Sequence, residues 1–207
     1  MRAFDHLDGI ALPLFEDNID TDQLCPKQHL KRLDRAGFGD ALFSDRRFNV
    51  DGSADPTFIL NQTPWSRPAI IVAGDNFACG SSREHAVWAL VDFGIRCVIA
   101  PSFGDIFFQN SVNSGLLAIQ LPRQQVATLA ALAMTEAGKP WRIDLPAQRI
   151  IAPSHSTIAF AIEPERKQRL LAGLDEIGIT LQQRPAIADF EDRQKTTEPW
   201  LWQANGN

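Results

Sequence analysis

Ala69-Ile70-Ile71-Val72-Ala73, followed by Gly74-Asp75-Asn76-Phe77-Ala78-Cys79-Gly80-Ser81-Ser82-Arg83-Glu84-His85-Ala86, is the stretch whose reading decides the fold. Residues 69–73 are short, apolar and rich in β-branched side chains, and they predict a buried strand. Ala86-Val87-Trp88-Ala89-Leu90-Val91 continues at helical spacing to Phe93 and stops at Gly94. Cys97-Val98-Ile99-Ala100 then predicts a second buried strand, closed by Pro101. Strand, glycine-bearing loop, helix and strand form a βαβ unit. Its loop lies at the carboxyl end of a strand and feeds a helix, which is where open α/β sheets place ligands.

The residue types of that loop define a chemistry. Gly80 permits a sharp turn and close approach of a ligand. Ser81, Ser82 and Arg83 are expected to open the helix, where free N–H groups and the helix dipole favour an anion. The planar fork of Arg83 suits a carboxylate bidentately. The two hydroxyls beside it can bind a carboxylate or, deprotonated, remove a proton. A small acid carrying several carboxylates fits such a site. Ser81 and Glu84 also spell S-x-x-E, a capping box, and the capping and ligand-binding readings stand side by side.

Outward from this unit, residues 8–15 predict a first strand whose Pro13 points to a sheet edge. Glu16-Asp17-Asn18-Ile19-Asp20-Thr21-Asp22 carries four carboxylates in seven residues, a density that suits a hard cation but more often marks a polar turn ahead of a helix. Residues 27–50 interleave basic side chains with Phe38, Phe43 and Phe48, and residues 51–68 read as a surface connection. A helix is expected from a Ser102 cap to Gly115, a strand over 116–121, and a helix over 124–137. Residues 141–145, 149–152 and 157–162 predict three short strands joined by tight turns. Helices over 165–171 and from Leu174 to about Arg193 close the chain. His85 is read as a packing residue rather than a base.

Composition narrows the function classes. A chain of 207 residues with 44% hydrophobic and 22% charged residues suits one globular unit. A net charge of −5 argues against nucleic-acid or anionic-membrane partners. No apolar run spans a bilayer and the N-terminus has no signal-peptide pattern, so a cytoplasmic location is expected. Cys25, Cys79 and Cys97 follow no metal or disulfide spacing, and Cys97 reads as a small core residue.

Gly80-Ser81-Ser82-Arg83-Glu84-His85-Ala86, within its Asp75–Cys79 context, resembles the swivelling β/β/α domain of the aconitase superfamily. The likeness is closer still to the small-subunit family of 3-isopropylmalate dehydratase, an α/β fold. Asp17-Asn18-Ile19-Asp20-Thr21-Asp22 with Pro26-Lys27-Gln28 is similar to that family's N-terminal signature. So are Trp88-Ala89-Leu90, Val98-Ile99-Ala100-Pro101-Ser102-Phe103, Asp105-Ile106-Phe107 with Asn110-Ser111, and the tail segment Leu174–Leu181.

The resemblance implies a single domain over 1–207, with a C-terminal helical extension from about 164. It implies a hydro-lyase acting on a small dicarboxylic hydroxy acid, active only with a large subunit that carries a [4Fe–4S] cluster, and no metal on this chain. By the same resemblance Ser81 is the catalytic base, Ser82 and Arg83 bind substrate carboxylate, and the Asp20-Thr21-Asp22 loop orders the site through hydrogen bonds. Arg32 and Arg35 are candidates for a further substrate-binding arginine, against the alternative of a solvated charged loop. Cys25, His29, Val87, the Asn113-Ser114-Gly115 stretch and Ala118 depart from the family pattern. They keep open a related substrate such as dimethylmalate, methylmalate or homoaconitate. A non-catalytic assembly subunit and a free-standing polyacid-binding module are the readings from other classes.

Overall fold

The computed structural model describes residues 1–30, 37–80 and 83–202. Two four-stranded sheets organise it. The first is wholly parallel and holds β2 (Ala11–Leu14), β3 (Ile70–Ala73), β4 (Cys97–Ala100) and β5 (Leu117–Gln120), in that order. The second is antiparallel, in the order β1 (His6–Gly9), β6 (Trp141–Asp144), β7 (Arg149–Ile151) and β8 (Thr157–Ala159).

Parallel strands need crossovers. Those from β3 to β4 and from β4 to β5 are the helices α3 (Glu84–Phe93) and α4 (Asp105–Asn113). The crossover from β2 to β3 is long and mostly irregular. It contains the one-turn helices α1 (Thr21–Leu24) and α2 (Ser44–Arg47). Helix α5 (Arg123–Thr135) follows β5, and α6 (Pro164–Ala172), α7 (Glu176–Leu181) and α8 (Arg184–Thr197) end the described chain.

The parallel sheet is buried on both faces, which is why its strands read as continuous apolar runs. Alternation sorts their side chains. Ile71, Ala73, Val98 and Ala100 join Leu24, Phe38, Leu42 and Phe43 and the apolar stripe of α3. Ile70, Val72, Cys97, Ile99, Leu117 and Ile119 face α5 and the antiparallel sheet, where Trp141, Ile143 and Ile150 complete the cluster. The two sheets therefore share one core across this second face.

Several sequence expectations need correction. The strand predicted over 8–15 is two strands in different sheets. It divides at Ile10, whose carbonyl accepts from the backbone N–H groups of both Ala69 and Ile70. Pro13 does lie on an edge strand. Ser102 does not cap α4; Gly104 occupies that position. The surface connection at 51–68 buries Phe58, Leu60 and Trp65. The final helix is two helices, because Pro185 can neither donate to a preceding carbonyl nor clear it, and is tolerated in the first turn of α8. Among the described residues of 27–50, two arginines and two phenylalanines are engaged within the fold. Phe38 and Phe43 are buried, Arg46 lies 4.6 Å over the Phe58 ring, and Arg47 lies 4.9 Å over Phe93.

Candidate functional site

The loops leaving β2, β3 and β4 meet at the carboxyl end of the parallel sheet. Residues 76–80 run between the other two. On one side the Ala78 N–H donates to the Ile19 carbonyl (2.6 Å) and the Thr21 N–H donates to the Cys79 carbonyl (3.0 Å). On the other, the Phe77 N–H donates to the Ser102 carbonyl (3.0 Å) and the Gly104 N–H donates to the Phe77 carbonyl (2.9 Å). This two-sided stitching holds a backbone that is costly locally. Asn76, Ala78 and Gly80 all lie in the left-handed region, at φ 56°, 58° and 88°. At Ala78 that conformation costs on the order of 1–2 kcal/mol. At Gly80 it carries no Cβ penalty, and the turn expected there is present.

A cleft of about 270 Å³ opens on this loop. Thr21, Asn76, Cys79, Gly80 and Arg83 line one part of it, and Gly104, Asp105, Ile106 and Phe107 line another. The Arg83 guanidinium pairs through Nη1 with Oδ1 of Asp22. Its side chain is 24% exposed, against 54% for Asp22. The cation is therefore held at the cleft by one carboxylate and is not sealed beneath packed side chains. Asp20 caps α1 by accepting from the Gln23 N–H (2.7 Å) and bridges to Cys79 through its backbone. Thr21 is 2% exposed.

The acidic run at 16–22 is dispersed rather than gathered. Glu16 pairs with Arg46 (2.8 Å), Asp17 with Arg123 (2.9 and 3.0 Å), Asp20 with the α1 N-terminus and Asp22 with Arg83. Among the described residues no group of three or more His, Cys, Asp or Glu side chains is placed to hold a metal. Cys25 and Cys97 are fully buried in different clusters, and burial pushes the Cys97 thiol pKa far up. That donor set does not fit an iron–sulfur cluster.

Residues 1–124 match the family model described as the aconitase C-terminal domain. Residues 176–203 match the model for the C-terminal domain of the 3-isopropylmalate dehydratase small subunit. The small subunit of Afipia carboxidovorans 3-isopropylmalate dehydratase is 50% identical over 97% of this chain and 100% of its own length. That of Xanthobacter autotrophicus is 48% identical with the same coverage. The chain belongs to the 3-isopropylmalate dehydratase small-subunit family. The crystal structure of 3-isopropylmalate dehydratase from Methanocaldococcus jannaschii superposes with a TM-score of 0.65 at 28% identity, covering 90% of this chain and 99% of that one. The aconitase-type α/β fold expected from the loop motif is thereby established.

Against that family background, the residue expectations divide. The structure brings Arg83, Asp22 and Thr21 to one cleft, with Asp20 beside it at the α1 cap. Ser81, Ser82, Arg32 and Arg35 lie outside the described residues. Helix α3 begins at Glu84 with Arg83 as its N-cap, in extended conformation and without a side-chain cap bond. The capping box is therefore out of register. With Arg83 at the N-cap, Glu84 is the first helical residue, whereas a capping box needs it at the third. His85 packs against Trp88 and Phe38, at ring-centroid distances of 4.8 and 5.4 Å. His29 bonds Ser44 Oγ at 2.9 Å and does not line the cleft. Sequence reasoning assigned no site role to Asn76, Asp105 or Ile106. The signal available was topological: they flank the carboxyl ends of strands adjacent in one parallel sheet.

Proposed function

We propose that this chain is the small subunit of a two-subunit hydro-lyase that interconverts 2-isopropylmalate and 3-isopropylmalate through isopropylmaleate, in leucine biosynthesis and in the cytoplasm. Residues 1–207 form one swivelling-type domain in this reading, with the helices from about 164 as its extension. The observation that carries it is an arginine held by Asp22 at the mouth of a cleft built from the βα loops of a parallel sheet. The family membership supplies the reaction class.

Dehydration takes a proton from the carbon next to the hydroxyl-bearing one and releases the hydroxyl, the pair leaving as water; rehydration returns them to exchanged carbons. This chain's share is the proton and the carboxylates. Ser81, as an alkoxide, accepts the proton, while Arg83 and Ser82 hold a substrate carboxylate so that the C–H bond faces the base. Asp22 orients the Arg83 fork, and Asp20 and Thr21 fix the loop that presents it. Arg32 or Arg35 adds a second contact to the substrate. The reading assigns the [4Fe–4S] cluster to the large subunit, since the cysteines here do not fit one.

The test uses the chain co-expressed with its large subunit. Ser81→Ala is expected to retain assembly and to lose about two to four orders of magnitude in turnover, followed by absorbance of the unsaturated intermediate. Near-normal turnover removes Ser81 from the mechanism. A panel of alkylmalates then separates isopropylmalate from the related substrates.

A further inference from the structure

We propose that Arg123 is a positioning residue for the cleft, acting through a relay of hydrogen bonds that ties together all four loops at the carboxyl end of the parallel sheet. The inference rests on reading the cleft as the active site.

Arg123 is the first residue of α5, which follows β5. Its guanidinium meets Asp17, in the loop after β2, bidentately at 2.9 and 3.0 Å. The same Nη1 reaches Oδ2 of Asp75, in the loop after β3. Oδ1 of Asp75 accepts from Ser102 Oγ, in the loop after β4, at 3.1 Å. Ser102 Oγ in turn accepts from the Asn76 N–H at 2.8 Å. Asn76 lines the cleft in a left-handed conformation, and its side chain donates to Asn18 Oδ1 at 2.9 Å.

Two further contacts lock the junction. The Asp75 N–H donates to Asp17 Oδ1 at 2.8 Å, and the Asn18 N–H donates to the Asp75 carbonyl at 2.8 Å. Asp17 and Asp75 are thus neighbouring carboxylates that converge on one cation. Arg123 and the Asp75 N–H hold the Asp17 carboxyl below its usual pKa. Without the cation the two carboxylates repel each other, at the point where residues 76–80 leave the sheet. Arg123 does not line the cleft, so its effect on the reaction passes through the backbone of Asn76. Its side chain is half exposed, and exposed ion pairs contribute little to global stability. The network's consequence is the setting of the loop.

The experiment compares Arg123→Met, Arg123→Lys and Asp17→Asn, each purified together with the large subunit. Arg123→Met is expected to lower kcat about tenfold, with KM changed less than threefold and with melting temperature and stoichiometry of the complex unchanged. Arg123→Lys, which can keep only part of the fork, is expected to recover part of the loss. The double variant Arg123→Met with Asp17→Asn is expected to be no worse than the poorer single one. An unchanged kcat overturns the proposal. So does a loss that tracks weakened association with the large subunit or a lowered melting temperature, since either assigns Arg123 to docking or to folding. Arg83→Lys is measured alongside. If it is impaired while Arg123→Met is not, only the relay fails; if Arg83→Lys is itself neutral, the reading of the cleft fails.

Discussion

At the scale of single residues, the Arg83–Asp22 pair leaves the guanidinium partly accessible at the cleft. In the proposed reading that guanidinium grips a substrate carboxylate, and Asp22 orients its fork. Arg83→Lys removes the planar fork and keeps the charge. Charge-assisted hydrogen bonds contribute about 1.5–3 kcal/mol, so KM is expected to rise by about tenfold or more in steady-state assays of the complex. Asp17 is legible in a different measurement. Its folded pKa is depressed, chiefly by the hydrogen bond from Arg123, then by that from the Asp75 N–H. Its contribution to stability is therefore fully present above the unfolded carboxylate pKa of about 3.9. It is lost as pH falls through the lower folded value. Because the pair is exposed and screened by solvent, denaturation followed across pH is expected to show Asp17→Asn at most marginally less stable than the parent at pH 7, with even that difference closing below about pH 4.

At the scale of elements, the cleft depends on how closely three loops approach. A Cβ built at Gly104 would meet the Ala78 carbonyl oxygen at 2.5 Å, and that oxygen belongs to backbone pinned on both sides. Gly104→Ala is expected to destabilise by about 1–3 kcal/mol and to lower kcat, measured by chemical denaturation and turnover together. The βαβ unit was readable because β-branched runs and a helical stripe ending at Gly94 are local signals. The division of residues 8–15 between two sheets was not. The part of the run that belongs to β1 is only Asp8 and Gly9, too short to show a period of its own, and it is the pairing with Trp141 on one side and Ile70 on the other that separates the two strands. The same holds for Ser102, whose hydroxyl takes the Asn76 N–H instead of a helix cap. A local capping preference lost to a contact 26 residues away in the chain.

At the scale of the whole molecule, the antiparallel sheet and α5 cover one face of the parallel sheet, while α3 and the long β2–β3 crossover cover the other. The C-terminal segment is attached unevenly. Leu170 of α6 is 1% exposed, whereas α7 and α8 bury no residue fully. Leu170→Ala is expected to cost about 2–5 kcal/mol. Ending the chain after Gln183 is expected to leave the melting temperature of the isolated chain within a few degrees. Both are read by calorimetry. The sequence by itself determined the parallel βαβ core and the glycine turn at residue 80, because periodicity, β-branching and a left-handed turn are written in neighbouring residues. The tertiary structure alone decided that Asp22 partners Arg83 across 61 positions. It also decided that Asp105 and Ile106 reach the cleft and that Arg123 binds Asp17 and Asp75 together. Those contacts exist because adjacent strands end side by side, and strand order is set by burial of the whole sheet rather than by any local run of residues.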